Sequence, residues 1–278
     1  MIHYGLTCLL SSGPMDRERM EIMKNKTALV SGASGGIGAV FARELAKDGY
    51  HVTCVARSED KLRSLVKELG HGHRLLAADL ADQGQLQRVV NDVENTGYSL
   101  LVNNAGYGIY GRFDELPVDQ QEHMMFVNMN ALVRLSHVFL KHARSGDALI
   151  NVSSVLSRLS YPGGAVYSGT KGFVTNFTES LWYENKDRGV HVMALLPGVT
   201  DTHFHAIATG NRAAAEQSGP CYPPEIVVKD ALAALKARKA PSVISGRAYR
   251  LLTFLGTRLA NRKLMITIMG KGSVGLKI

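Results

Sequence analysis

Short apolar runs alternate with amphipathic stretches along most of the chain. Seven of the runs are rich in aliphatic and β-branched residues, and we predict a strand at each: residues 27–31, 51–56, 75–78, 100–102, 148–153, 190–195 and 242–244. Between them, apolar residues recur three and four positions apart, as in helices that bury one face. The predicted helices cover residues 37–47, 59–69, 83–94, 118–142, 164–187 and 225–238, and the stretch 118–142 is expected to form one or two of them.

This alternation predicts an α/β fold built of repeated β-α-β units, with a doubly wound, Rossmann-like parallel sheet and helices on both faces. We expect a flexible N-terminal extension over residues 1–24, a dinucleotide-binding and catalytic domain over 25–245, and a basic amphipathic tail over 246–278. Residues 197–224 combine glycines and prolines with weak periodicity, so we predict a substrate lid there. In such sheets, ligands bind at the carboxyl ends of the strands.

Composition indicates a globular protein, because 45% of the 278 residues are apolar and 20% are charged. The net charge of +8 is distributed unevenly. Residues 231–278 contain ten Lys or Arg and no Asp or Glu, whereas residues 1–230 contain 22 basic and 24 acidic residues. The body is therefore nearly neutral and the tail is strongly basic.

Apolar side chains recur at helical spacing within residues 246–269 of this tail. The apolar stripe consists of Ala248, Leu251, Leu252, Leu255 and Leu259, and the arginines beside it are Arg247, Arg250, Arg258 and Arg262. We expect a terminal helix that packs its apolar side on the body. The alternative is a basic amphipathic helix that lies on an anionic membrane surface. Nucleic acid is not expected as a partner, since no nucleic-acid-binding motif accompanies the charge.

The cysteines Cys8, Cys54 and Cys221 are far apart and form no CxxC pair, which argues against a disulfide framework or a zinc site. They favour a reducing compartment, so we expect a cytoplasmic location, with peripheral membrane association as an alternative. No metal is predicted, because the closely spaced histidines have no cysteine or carboxylate set beside them. No apolar run approaches the roughly 18 residues of a transmembrane helix.

A glycine-rich turn follows the first predicted strand and precedes a helix, with the sequence SGASGGIG at residues 31–38. Glycines allow the backbone to approach a pyrophosphate, and the helix N-terminus offers free N–H groups with a partial positive charge. The strand–turn–helix context makes this a specific signal for a dinucleotide. The candidate cofactor contacts in this turn are Gly32, Ser34, Gly36, Ile37 and Gly38.

Arg57 lies just beyond the second predicted strand, nineteen residues after Gly38. A carboxylate at this place binds the ribose 2′-hydroxyl of NAD, whereas an arginine accepts the 2′-phosphate of NADP. Here the strand ends in Ala56-Arg57-Ser58 with no carboxylate, and a guanidinium can bind phosphate through two parallel hydrogen bonds. We therefore predict that NADP(H) is preferred over NAD(H).

Tyr167 and Lys171 share one face of a predicted helix. A tyrosine with its ordinary pKa of about 10 is a poor acid–base group at neutral pH, and a neighbouring ammonium lowers that pKa. This pair is therefore suited to moving a proton to or from a carbonyl or alcohol oxygen. Ser154 lies thirteen residues before Tyr167 at a strand end, and Asn128 lies in the preceding helical stretch. These four residues are the predicted catalytic set.

In these motifs the chain resembles the short-chain dehydrogenase/reductase family, in its single-domain subgroup, over about residues 25–245. The matched motifs are S-G-x-x-x-G-I-G at 31–38, N-N-A-G at 103–106, Ser154, Y-x-x-x-K at 167–171 and P-G-x-x-x-T at 197–202. One departure is Ser31, where the family usually has a threonine; both side chains carry a hydroxyl.

The resemblance implies roles for the predicted residues. Tyr167 would donate the proton in reduction or accept it in oxidation, and Lys171 would lower its pKa and bind the nicotinamide ribose. Ser154 would hydrogen-bond the substrate oxygen, and Asn128 would hold a water in a relay from Lys171. The further implied cofactor contacts are Asp79, Leu80, Asn104, Ala105, Gly106, Tyr167, Lys171, Pro197, Gly198 and Thr202.

The side chains expected to flank the nicotinamide are Leu156, Tyr161, Val199 and Phe204, which suggests an apolar pocket. We therefore favour a lipophilic ketone or secondary alcohol, 3-oxoacyl or steroid-like, as substrate. Reduction of small carbonyl compounds is the first alternative, and a non-catalytic NADP(H)-binding sensor is the second. In the resembled family the helix that here carries Trp182 and Tyr183 often packs against a partner subunit, which implies a homo-dimer or homo-tetramer.

Overall fold

In the computed structural model, which describes residues 26–210, 220–258 and 261–273, seven strands form one parallel sheet. Its strands are β1 (Thr27–Ser31), β2 (His51–Ala56), β3 (Arg74–Ala77), β4 (Leu100–Asn103), β5 (Ala148–Val152), β6 (His191–Leu196) and β7 (Ser242–Ile244). They lie in the order β3-β2-β1-β4-β5-β6-β7. The chain reverses its direction of winding between β1 and β4, so the carboxyl ends of these two strands define the place for a ligand. The predicted doubly wound fold is confirmed.

The helices fall close to their predicted positions. Those along the sheet are α1 (Gly36–Lys47), α2 (Glu59–Leu69), α3 (Gln83–Thr96), α4 (Val118–Met125), α5 (Leu132–His142), α6 (Ala165–Glu184), α7 (Phe204–Ala208) and α8 (Pro224–Ala237). A π-helical segment, Phe126–Ala131, joins α4 to α5 without interrupting the helical rod. The predicted stretch 118–142 is thus one continuous rod with a wider turn in its middle.

Apolar cores lie on both faces of the sheet, because helices cover both. In β1, Val30 belongs to the core under α1, α2 and α8, whereas its neighbour Leu29 belongs to the core under α3 and α5. A parallel sheet buried on both faces needs continuous apolar runs rather than alternation, which explains the sequence of β2, HVTCVA, whose last five residues are buried.

The basic tail departs from its prediction. It forms two helices, α9 (Arg247–Arg258) and α10 (Arg262–Lys271), and Asn261 caps the second by accepting a hydrogen bond from the Lys263 N–H. The buried residues of α9 are Tyr249 and Thr253, while Ala248, Leu251, Leu252 and Leu255 of the predicted apolar stripe are exposed. The expectation that this stripe packs on the body was therefore wrong, because the aromatic ring of Tyr249 anchors the opposite side of the helix.

Parts of the predicted organisation lie outside the described residues, namely the extension 1–24, residues 211–219 of the lid, and Leu259. On either side of 211–219, the segment predicted to form the lid contains a parallel bridge between Thr200 and Tyr222. Within the part of the chain that the structure describes, no helix is long and apolar enough to cross a membrane.

Candidate active site

The ends of β1 and β4 are locked together by the hydroxyl of Ser31. It accepts hydrogen bonds from the backbone N–H groups of Asn104 and Ala105, each at 3.0 Å, and donates one to the Val102 carbonyl at 3.4 Å. The Asn104 amide donates to the carbonyls of Ser31 at 3.0 Å and Gly32 at 3.2 Å. The N-N-A-G motif therefore fixes the path of the glycine-rich turn at the switch point of the sheet.

Three glycines of this turn sit where a side chain would not fit. Gly32 has φ +69° and Gly36 has φ +52°, and a β-carbon on Gly38 would lie 2.3 Å from the Gly32 carbonyl oxygen. Because α1 begins at Gly36, its unpaired N–H groups are directed at the turn. The exposed backbone of this cradle suits a pyrophosphate. A β-carbon on Gly36 would also lie 3.0 Å from Thr202, so the segment after β6 borders the cradle.

The side chains that the sequence predicts for the nucleoside end of the cofactor follow β2 and β3. Arg57 is exposed directly after β2. Asp79 lies after β3, where its carboxylate accepts a hydrogen bond from the Ala81 N–H at 3.0 Å, and Leu80 is buried beside it. Burial raises the pKa of Tyr107, and Arg57 acts in the opposite direction on that hydroxyl. Arg57 and Asp79, both predicted cofactor contacts, thus lie near Tyr107 in the loop that follows β4.

Tyr167 and Lys171 project from α6 into the protein, and each is only 5% exposed. The Lys171 Nζ donates to the Val152 carbonyl at 2.9 Å and lies 5.8 Å from the centre of the Tyr167 ring. The side chain of Ser154 adjoins the Tyr167 hydroxyl and acts to lower its pKa, and the Ser154 Oγ accepts a hydrogen bond from the Leu156 N–H at 3.2 Å. The structure therefore brings Ser154, Tyr167 and Lys171 together as predicted.

The protonation of this pair differs from the prediction that Lys171 lowers the pKa of Tyr167. Burial raises the pKa of Tyr167, and the hydrogen bond with Ser154 offsets only part of that effect. Burial also lowers the pKa of Lys171 to about 8. At neutral pH the phenol therefore keeps its proton, which is the form that a proton donor needs.

Asn128 lies in the π-helical segment, and its side chain makes three hydrogen bonds. Its Oδ1 accepts from the Tyr107 N–H at 3.1 Å, and its Nδ2 donates to the Tyr107 carbonyl at 2.9 Å and to the Thr170 hydroxyl at 3.1 Å. A β-carbon on Gly106 would lie 2.9 Å from the Asn128 Oδ1 and 3.4 Å from the Lys171 Nζ. Asn128 and Lys171 thus meet around Gly106. π-Turns inside α-helices are frequently found at functional sites.

Aromatic rings line the outer side of Tyr167. The ring of Phe204 lies 5.5 Å from it and that of Tyr110 lies 5.9 Å away, and Leu156 and Tyr161 pack in the same cluster. The expected Val199 is not in this cluster; its carbonyl instead accepts from the Tyr222 N–H at 3.0 Å. Three of the four predicted apolar side chains therefore surround the candidate proton donor.

A cleft of about 700 Å³ opens beside this cluster, between the loop after β4 and helix α7. Its apolar wall includes Tyr110, Leu116 and Ile207, and its polar wall includes Asp119 and His123. The cleft is large enough for a drug-sized organic molecule. Among the described residues, no group of three or more His, Cys, Asp or Glu side chains is arranged to hold a metal ion.

Two residues near the site were missed by the sequence analysis. Thr170 accepts the bond from Asn128 and donates to the Tyr167 carbonyl at 2.8 Å, yet nothing in Y-x-x-x-K distinguishes this position from its neighbours. Tyr249 of α9 lies against Gly198, 51 residues earlier in the chain, and no local pattern signals that contact. Thr170 therefore helps to position Asn128, and Tyr249 packs against the segment that follows β6.

Comparison with known proteins now identifies the class. The pattern of the short chain dehydrogenase family matches residues 26–212, which is more than half of the chain. The chain therefore belongs to the short-chain dehydrogenase/reductase family. It is an oxidoreductase that acts on CH–OH or C=O groups.

Two curated relatives and one solved structure are similar to this chain. Serine 3-dehydrogenase of Rhizobium radiobacter is 31% identical over 189 residues, 66% of this chain and 76% of that protein. Sulfoacetaldehyde reductase 2 of Chromohalobacter salexigens is 30% identical over 198 residues, 68% of this chain and 79% of that protein. A short-chain dehydrogenase from Sphingobium yanoikuyae, solved in complex with NADPH, is 27% identical and has a TM-score of 0.73, covering 84% of this chain and 93% of that one.

Proposed function

We propose that this protein is an NADP(H)-dependent oxidoreductase that interconverts a lipophilic ketone, 3-oxoacyl or steroid-like, and its secondary alcohol. The domain that does so is residues 25–245. The observation that carries the proposal is the buried Tyr167, which lies in an apolar cluster and whose hydroxyl adjoins the side chain of Ser154. A buried phenol that keeps its proton is a donor for a carbonyl oxygen, and the surrounding rings exclude water and favour apolar substituents.

The catalytic roles follow from the contacts. Ser154 binds and orients the substrate oxygen, and Tyr167 donates its proton to that oxygen in reduction. Lys171, held by the Val152 carbonyl, places a positive charge behind the phenol. Asn128 holds the loop at Tyr107 through two hydrogen bonds. Next to Gly106 its side chain also approaches Lys171, and a water bound between them would return a proton to Tyr167 after reduction.

A nicotinamide dinucleotide, when bound, supplies or accepts the hydride. Its pyrophosphate suits the cradle formed by Gly32, Gly36 and Gly38, because their missing side chains leave the backbone open. Arg57 would hold the 2′-phosphate that distinguishes NADP(H), and no carboxylate stands at the end of β2 in its place. The NADPH complex of the Sphingobium relative supports this choice.

Substrate-graded turnover tests the function. NADPH oxidation is measured over a series of ketones and 3-oxoacyl thioesters of increasing chain length. We expect kcat/KM to rise with chain length, by about threefold or more for each added methylene group that the pocket buries. Tyr167→Phe should abolish turnover and keep NADPH binding, and the matched control Tyr50→Phe, at the opposite edge of the sheet, should keep both.

The same assay separates the alternatives. Turnover that falls with chain length would contradict the lipophilic substrate and favour small carbonyl compounds. Bound NADPH without turnover of any carbonyl would favour the non-catalytic sensor. Full activity in Tyr167→Phe would refute the assigned proton donor.

A small polar carbonyl compound is the second candidate substrate. It is favoured by the polar wall of the cleft, where Asp119 and His123 lie, and by the names of the two relatives, a serine dehydrogenase and a sulfoacetaldehyde reductase. Small aldehydes and hydroxy acids in the same panel test it directly.

We further propose that the protein forms a homo-dimer or homo-tetramer through the outer face of α6. Tyr183 of that face is 71% exposed, and Phe173, which stacks on Phe177, is 40% exposed. The mass of the protein is measured by light scattering as it elutes from a size-exclusion column. Tyr183→Glu should lower that mass toward the value of the monomer. A monomeric wild-type protein would rule out this assembly.

A further inference from the structure

The C-terminal helix pair, α9 and α10, presents an unusual amount of apolar surface. It carries seven of the fourteen large hydrophobic side chains that the described residues expose. These are Leu251, Leu252, Phe254, Leu255, Leu264, Ile266 and Ile268. Single exposed leucines are common on protein surfaces, but a contiguous concentration marks a surface that binds something.

Basic side chains share the outward side of both helices. In α9, the residues Leu251, Leu255 and Arg258 follow one another at spacings of four and three, so they form one ridge. Leu264, Ile268 and Lys271 form the equivalent ridge of α10.

The charges of this face are largely unneutralised. Among described residues, no carboxylate lies within 4.0 Å of Arg247, Arg258, Arg262, Lys263 or Lys271, and only Arg250 of the pair is bridged, to Asp230 at 3.4 Å. No acidic residue occurs after position 230.

The inner side of the pair is firmly attached to the body. Tyr249 lies against Gly198, and the Ser273 hydroxyl donates to the Pro162 carbonyl at 2.6 Å. The two helices also pack on each other, because the missing side chain of Gly256 makes room for Met265. The leucine and arginine ridges are therefore held outward by contacts on the opposite side, rather than left exposed by fraying.

We propose that the C-terminal helix pair docks the protein on the surface of a bilayer that contains anionic lipids. Apolar side chains interspersed with unpaired cations match the acyl boundary and the headgroups of such a surface. A second copy of the same face would bring like charges together, which argues against self-association here. Tyr249 and Ser273 contact the segments after β6 and before α6, so docking would place lipid next to the walls of the candidate active site.

Vesicle cosedimentation of the full chain tests this proposal. We expect binding to vesicles of phosphatidylcholine with about 30% phosphatidylglycerol, binding at least roughly tenfold weaker to phosphatidylcholine alone, and release at about 0.5 M salt. Leu251→Glu with Leu255→Glu should reduce binding to the anionic vesicles by about tenfold or more. The matched control, Val118→Glu with Ile226→Glu, changes two exposed aliphatic residues elsewhere and should bind like the wild type.

The other outcomes overturn the proposal. Failure of the wild type to bind anionic vesicles would exclude lipid as the occupant, as would equal binding by the Leu251/Leu255 variant. If Leu251→Glu with Leu255→Glu lowers the molecular mass of the protein in solution without vesicles, the occupant of this face is a second copy of the chain instead. Thermal unfolding and turnover of a water-soluble carbonyl, measured on each variant, separate a docking defect from misfolding and from failure of the proposed enzyme activity.

Discussion

The ring of Tyr249 rests on Gly198 so closely that a β-carbon at position 198 would stand 2.1 Å from two ring carbons. Gly198 follows β6 in the P-G-x-x-x-T motif, and Tyr249 is the buried anchor of α9. The glycine of this motif thus has a packing partner in the basic tail. The position of α9 and the backbone path of residues 197–202, which are expected to contact the cofactor, therefore depend on each other.

Gly198→Ala should therefore destabilise the protein, by about 1–3 kcal/mol as for other overpacked sites. In the Tyr249→Ala background the same change should be nearly neutral, because the ring that it would strike is gone. Urea unfolding of the four proteins in this cycle gives the coupling, expected to be about 1 kcal/mol or more. Gly169→Ala, whose β-carbon would meet nothing within 4 Å, is the control. Equal costs of Gly198→Ala in both backgrounds would disprove the dependence.

The parts of the fold that local sequence decides were predicted well. β1 and β2 have the predicted bounds, because a β-rich run between a polar turn and a glycine leaves little choice. The placement of Ser154, Tyr167 and Lys171 at one site could also be predicted, since Tyr167 and Lys171 share a helix and Ser154 follows a strand. Strand ends of a parallel sheet meet at one edge whatever the details of the loops.

The remaining features depend on contacts between distant segments. The π-helical segment arises where Asn128 bonds the backbone of Tyr107, and the pattern of residues 118–142 fits an ordinary helix equally well. The orientation of α9 was predicted from its leucines, whereas the structure orients it by Tyr249. The pKa of Tyr167 was predicted from its neighbour in sequence, but burial by Phe204 and Tyr110 outweighs that neighbour.

The Ser31 hydroxyl gives a second prediction, because it satisfies the N–H groups of Asn104 and Ala105. Ser31→Ala should leave the Ala105 N–H without its acceptor and the Asn104 N–H with the Val102 carbonyl alone, and should lower the free energy of unfolding by about 1–3 kcal/mol. NADPH affinity should fall with it, since the glycine-rich turn loses its attachment to β4. Ser31→Thr keeps the hydroxyl and should lose less than about 1 kcal/mol. If Ser31→Ala has the same urea midpoint of unfolding as the wild type, the hydroxyl does not stabilise the junction between the ends of β1 and β4.

Arg57 gives a third prediction. Arg57→Glu removes the proposed partner of the 2′-phosphate and introduces a carboxylate suited to a 2′-hydroxyl, so preference should move from NADPH toward NADH by about tenfold or more. The measurement is kcat/KM for both cofactors with one carbonyl substrate. Arg63→Glu, an exposed charge reversal on α2, should leave the ratio unchanged. An unaltered ratio in Arg57→Glu would refute the assignment.

His191 predicts a loss of stability in acid. Burial, with a smaller contribution from Arg238, lowers its pKa to about 4, whereas an unfolded histidine has a pKa of about 6.5. Between these values the unfolded chain binds the extra proton, so the free energy of unfolding falls as the pH drops from about 6.5 to about 4. The expected contribution is about 1–3 kcal/mol. His191→Gln should show a shallower decline in urea unfolding over this range, and an identical decline would place the effect elsewhere.

Lys171 predicts an alkaline limit to reduction. Burial lowers its pKa to about 8 and raises that of Tyr167, so the ammonium is the first of the two groups to lose its proton as the pH rises. If the charge behind the phenol supports proton donation, kcat/KM for ketone reduction should be level below about pH 8 and fall about tenfold per unit above it. Initial rates of NADPH oxidation between about pH 6 and pH 10 give this profile.

Lys171→Arg separates this charge from other groups that titrate in the same range. A guanidinium keeps its charge up to a pH of about 12, so the activity that remains in this variant should show no decline near pH 8. A decline at the same pH in both proteins would assign it to a different group. A wild-type profile that stays level to about pH 9 would mean that the neutral amine supports the reaction as well as the ammonium does.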